Sequence, residues 1–169
     1  LLDGGNTGGE DVQTAGRLAI TAANGIGATD WLETAVASAV ITNSTGNPVR
    51  ILETDDIDFT GFTQTTALSE IESTSGDITI SGTFTSSGLG SVDITASGPG
   101  NITATAQINS GTGPMHLTGT KISIGAPGAA ADLLTEDGII TLTGDMELIE
   151  DVLIDTTGSG AGSGAAFSI

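Results

Sequence analysis

The stretch SGDITISGTFTSSG, Ser75 to Gly88, alternates apolar with hydroxyl residues and is broken by glycine. In an extended chain Ile78 and Ile80 point to one side and Thr79 to the other, while Gly76, Gly82 and Gly88 cut the segment into pieces too short for a helix. It contains no His, Cys, Tyr or Trp, the residue types on which most site chemistry rests. The texture recurs along the chain: GDITI, GSVDIT, GNITA, GPMHL and GIITL each set a glycine before a short apolar alternation. Similar pairs stand at Leu18 to Ile20, Val49 to Ile51, Ile57 to Phe59, Ile122 to Ile124 and Val152 to Ile154. This is a loose internal repeat of short strands. With Ile20, Val40, Ile57, Ile78, Ile94, Leu117, Leu142 and Ile169 taken as one equivalent strand per turn, the spacing averages roughly 21 residues, about one coil of a three-sided solenoid.

Composition separates this reading from its alternatives. Aromatic residues make up 3% of the 169-residue chain and Tyr is absent, so the core must be built from Ile, Leu, Val and Ala. A β-sandwich or mixed β domain needs large residues facing each other across two sheets, and one Trp with four Phe is thin material for that. A parallel β-helix instead stacks like on like, each coil adding a rung of Ile, Leu, Val, Thr or Ala, with Gly, Asn, Asp or Ser at its corners. The expected fold is therefore all-β, a parallel β-helix, in one unit spanning residues 1–169. One segment departs from the pattern. In ATDWLETAVASAV, Leu32, Ala35, Val36, Ala39 and Val40 recur at helical spacing, and Asp30 with Glu33 has the form of a capping box. The spacing predicts a short helical insertion over 31–38, with Trp31 packed against the side of the solenoid.

Charge removes several function classes. Against 21 Asp and Glu there are three cations, Arg17, Arg50 and Lys121, for a net charge of −18. Nucleic acid is excluded because no basic patch exists to displace its counterions, and anionic membrane surfaces are disfavoured for the same reason. No apolar run is long enough to insert in a membrane as a helix. The absence of Cys leaves neither disulfides nor thiolate metal sites.

The phrases LAITAANGIGATDWLETAVASAVITNSTGN, SGDITISGTFTSSGLGSVDITASG and GIITLTGDMELIEDVLIDTTGSGAGSGAAFSI resemble the repeats of very large bacterial surface and secreted proteins of the filamentous-haemagglutinin type. The resemblance covers nearly the whole chain and rests on repeat texture. It implies a right-handed parallel β-helix forming part of a long extracellular stalk, with no active-site motif to carry over.

The titratable and nucleophilic residues of the chain agree with that implication. His116 is the only histidine and lies between Met115 and Leu117, so alternation turns it outward without triad or zinc partners. GAGSGA at Gly160 to Ala165 matches a dinucleotide fingerprint in spacing, but AFSI follows where a helix is required. No catalytic or cofactor-binding residue is assigned. Carboxylates are the remaining possibility. ETDDIDF places Asp56 and Asp58 on one side of a strand with Asp55 at its start, the candidates for calcium, which takes carboxylate and carbonyl oxygens. Glu10, Asp11, Glu136 and Asp137 add further turn acids, but no repeat calcium motif accompanies them. The plainer alternative for all of these is a solvated acidic face.

Two function classes follow. The first is a non-catalytic structural segment of a large extracellular or cell-surface bacterial adhesin, a stiff shaft for adhesion or filament formation. The second is a carbohydrate-active β-helix of lyase or hydrolase type, or a calcium-stabilised surface-layer protein. The chain starts at Leu1 and stops at AAFSI, the opening of a further strand, and reads as a window cut from a longer repeat protein. The expected partners are further repeats of the same chain or copies stacked end to end into a filament, with host or cell-surface glycans or proteins bound by other regions.

Overall fold

The structure, a computed structural model, describes residues 9–65, 67–129, 131–158 and 164–169. Among these every regular element is a strand. In chain order they are β1 (Val12–Ala22), β2 (Leu32–Asn43), β3 (Val49–Glu53), β4 (Ile57–Thr65), β5 (Ser69–Ser73), β6 (Ile78–Ile80), β7 (Phe84–Ser87) and β8 (Val92–Ala96). There follow β9 (Ile102–Ala104), β10 (Ile108–Asn109), β11 (Met115–Ile124), β12 (Leu133–Leu134), β13 (Ile140–Leu148), β14 (Ile154–Asp155) and β15 (Phe167–Ser168). Every strand pairs in parallel with the strand one coil away, which makes a β-solenoid.

Three interior ladders show how the sequence does this. On the first face Leu32, Ile51, Ile71, Ile94, Leu117 and Leu142 stack in register. On the second Ile57, Ile78, Ile102, Ile122 and Met146 do the same. On the third the column runs Ile20, Ile41, Phe62, Phe84, Ile108, Leu133 and Ile154. Coils lie about 4.8 Å apart, so each inward side chain meets its counterparts above and below, and like shapes fill the interior without large rings. The three ladders converge on one hydrophobic core. Ile78, Ile94, Leu117 and Leu142 all point into it, as the alternation requires. The evenly spaced series Ile20 to Ile169, however, does not mark one equivalent strand. Ile57 and Ile78 belong to the second face and Ile94, Leu117 and Leu142 to the first, and an average over mixed faces conceals coils that lengthen from 19 residues, Leu32 to Ile51, to 25, Leu117 to Leu142.

The helix expected over 31–38 is not formed. Those residues enter β2, a continuous strand in which Leu32, Thr34 and Val36 point inward, followed by Ala39, Ile41 and Asn43. The chain turns a corner between Val36 and Ala39, and the inward phase slips by one residue there. That slip places inward residues at 32, 36 and 39, which imitates helical spacing. Asp30 does not cap a helix; its carboxylate accepts the N–H of Trp31 at 3.1 Å, and Trp31 lies half-buried just before the strand.

The recurrent glycines before strands have a steric cause. Gly90, Gly113 and Gly138 stack at the corner that leads into the first face. A Cβ at Gly113 would collide with the carbonyl of Gly90, and one at Gly138 with the carbonyl of Gly113. Only a residue without a side chain lets the coils approach there.

Candidate functional site

Asp55 and Asp56 lie at the corner between the first and second faces, with Asp58 just past it on β4, whereas Glu136 and Asp137 lie at the corner that leads into the first face, between β12 and β13. β2 runs through the former corner unbroken, but the next three coils leave the strand there in Thr54–Asp56, Thr74–Asp77 and Ser97–Asn101. Stacked turns leave backbone N–H groups without strand partners, and the carboxylates accept from them. Asp56 accepts the N–H of Asp77 at 2.8 Å, and Asp77 in turn accepts the N–H of Asn101 at 2.8 Å and its side-chain amide at 3.1 Å. Asp58 accepts from the Ser81 hydroxyl at 2.8 Å. The hydroxyls of Thr74 and Ser75 donate to the carbonyl of Thr54, and that of Ser73 to the carbonyl of Asp55.

Asp56 and Asp58 flank the inward, buried Ile57, but only Asp58 belongs to the strand, β4; Asp56 lies in the turn before it. Among the described residues no three acidic or histidine side chains converge where they could share a metal ion, Asp55, Asp56 and Asp58 included. Glu10, across the corner, accepts the Thr54 hydroxyl at 3.0 Å; hydrogen bonding, first to its own backbone and then to Thr54, holds its carboxyl below the usual range.

Glu53 is an acid that the sequence alone does not single out. It is 0% exposed and points into the solenoid at the end of β3. The Thr34 hydroxyl donates to Oε2 at 2.7 Å, and the N–H groups of Val36 and Thr54 donate to Oε1 at 3.1 and 3.2 Å. Its pKa is raised to about 7, first by burial, against the lowering by the Thr34 hydrogen bond and with the nearby Asp55 carboxyl adding to the rise. A signal for it does exist in the sequence: alternation of Val49 and Ile51 puts Glu53 on the inward side. Above this corner lies an open cleft of about 490 Å³ lined by Thr14, Ala35, Ala37, Asp55 and Asp56 among others.

The cleft has two accessible carboxylates, Asp55 and Asp56, but Glu53 beneath them is enclosed. A general acid must reach the leaving oxygen of its substrate, and Glu53 has no surface with which to do so. Elsewhere His116 points outward as expected, 4.0 Å from Asp93. Two of the three cations are paired on the surface, Arg50 with Glu70 at 2.9 Å and Lys121 with Glu147 at 2.8 Å; the hydrogen bond from Lys121 lowers the pKa of Glu147. Of the GAGSGA motif, Gly160 to Ser163 lie outside the described residues, and β15 follows in place of a helix.

Comparison with protein-family models, curated proteins and solved structures gives no match. No helix among the described residues is long and apolar enough to cross a membrane.

Proposed function

We propose that this chain is a non-catalytic shaft, a right-handed segment of a large extracellular or cell-surface bacterial adhesin or filament of the filamentous-haemagglutinin type. The observation that carries the reading is the continuity of the three interior ladders, which run from coil to coil while the corners between them vary in length. Parallel backbone pairing along the axis gives such an object stiffness, and its acidic sides keep neighbouring shafts apart. The corner carboxylates serve this role by tying successive turns together.

The shaft is continued at its ends by more coils of the same chain or by another copy. In support, most of the large exposed apolar residues lie in its last coils: Ile139, Leu148, Ile149, Leu153, Phe167 and Ile169. A solenoid edge offers both apolar rungs and unpaired backbone groups to a further coil. Adhesive contacts to glycans or proteins belong to other regions. The test is to label intact source cells with antibody against residues 1–169 and to incubate the purified chain with acidic and neutral polysaccharides. Surface labelling with no new sugar ends is expected. Release of new reducing or unsaturated ends would replace the shaft with the carbohydrate-active alternative, and the cleft at Asp55 and Asp56 would be the place to look.

A further inference from the structure

The corner of the third coil combines a carboxyl sealed in the interior, a second carboxyl two residues on at the surface, and a cleft lined by the second. We propose that Glu53 and Asp55 form a proton-operated latch that fastens the second coil to the third. The geometry has three parts. Glu53 belongs to β3, but the Thr34 hydroxyl and the Val36 N–H that it accepts belong to β2, so the carboxyl bridges the two coils from inside. The Thr54 N–H is shared between Glu53 and the carbonyl of Thr34, which places the start of the turn under the same control. Asp55, two residues on in the same turn, is the third part, and its carboxyl adds to the upward shift of Glu53.

The charged groups around the latch leave it without a counter-ion among the described residues. On β2, Glu33 faces outward, where its backbone meets Asp11. On β3, Arg50 faces outward and pairs with Glu70 of β5, whose other acid, Glu72, also faces outward. Glu10 is bonded to the Thr54 hydroxyl, and on β1 Arg17 lies beyond the corner, in register with Ser38. The inward neighbours of Glu53 in its own column are Thr34 and Ser73, both neutral.

The direction follows from linkage. The folded pKa of Glu53, about 7, stands above its ordinary value of 4.5. The contribution to stability is thus complete below about 4.5, declines as pH rises, and is gone above about 7. Once the proton leaves, Glu53 is a charge in the dry interior with no counter-ion beside it, and the coil pair relaxes by admitting water through the cleft.

Hydrogen exchange resolved to single amides tests this on the whole chain at pH 5 and pH 8.5, after correction for intrinsic rates. Protection of Val36 and Thr54 is expected to fall at the higher pH by up to about two orders of magnitude, tenfold for each pH unit between the ordinary and the raised midpoint, while Ile94 and Leu117 stay unchanged. Glu53→Gln keeps the shape, lets the side-chain carbonyl accept both N–H groups and turns the amide toward Thr34, so its protection should not depend on pH. In wild-type protein the Glu53 carboxyl carbon resonance should titrate near neutrality, and Asp55→Asn should move that midpoint down. A Glu53 midpoint in the ordinary carboxylate range, pH-independent protection at Val36, or pH dependence that persists in Glu53→Gln would each overturn the latch.

Discussion

Replacing Phe84 by alanine strikes the solenoid where three buried aromatic rings meet. Phe84 is fully buried on the third face, in register with Phe62 of the preceding coil. The two rings stack with centroids 3.9 Å apart and planes 2° from parallel, and Phe59 meets both edge-on at 6.2 and 6.1 Å. Removing a buried phenyl ring costs about 3–5 kcal/mol through forfeited burial and the cavity that remains. Each ring–ring interaction removed with it adds about 0.5–1.5 kcal/mol, which places Phe84→Ala toward the upper end of the range. Phe84→Leu, which keeps most of the volume, should cost less than half as much. Because each coil touches only its neighbours, the lesion should also weaken coupling between the coils on either side. Urea denaturation followed by far-ultraviolet circular dichroism should show a lower midpoint and a broadened or divided transition. A loss below about 1 kcal/mol with one sharp transition would mean that Phe84 is not the buried partner of two rings, and the third ladder would be wrongly drawn.

Three further outcomes follow from the same geometry. Gly113→Ala should destabilise by more than an ordinary glycine substitution, because its methyl group meets the rigid carbonyl of Gly90; thermal melting beside a Gly61→Ala control, whose new Cβ would meet only the Val40 side chain at 3.7 Å, isolates the steric part. Ile94→Ala should cost about 2–5 kcal/mol and the adjacent outward Thr95→Ala about 0.5 kcal/mol or less, and equal costs in chemical denaturation would contradict the alternation of β8. Millimolar calcium should shift the melting temperature only modestly by screening the acidic surface; a large saturable rise with one or two ions bound per chain would show that the turn acids hold metal.

The part of the fold legible in the sequence is the part that depends on single-strand periodicity. Ile78 and Ile80 read as inward because threonine separates them, and Met115, His116 and Leu117 alternate in, out and in as their spacing predicts. The segment 31–38 misleads because a strand that turns a solenoid corner changes its inward phase, and Leu32, Val36 and Ala39 then fall at helical intervals. Register between coils is beyond reach for a related reason: corners of different length shift equivalent positions, and a single averaged repeat cannot follow them. At the acidic corner the dense run Asp55, Asp56 and Asp58 dominates the sequence, yet its carboxylates are exposed or bonded to neighbouring turns. Glu53 stands out less because an acid at the end of an apolar strand reads as its solvated terminus. Its burial depends on Thr34 and Val36, residues a coil away whose spacing imitates a helix.

The central claim is that successive coils lie parallel and in register, and a chain without cysteine allows a direct test by cross-linking. Thr95, Thr118 and Thr143 occupy one outward column on β8, β11 and β13. Neighbours in that column have Cα atoms about 4.8 Å apart, within the span a disulfide bridges, whereas Thr95 and Thr143 are separated by two coils, about 9.6 Å. Under mild oxidation the pair Thr95→Cys with Thr118→Cys should lose both free thiols within the monomer, as should Thr118→Cys with Thr143→Cys, while Thr95→Cys with Thr143→Cys should retain them. Closure of the distant pair in preference to the adjacent ones, counted by thiol labelling and intact mass, would contradict the solenoid.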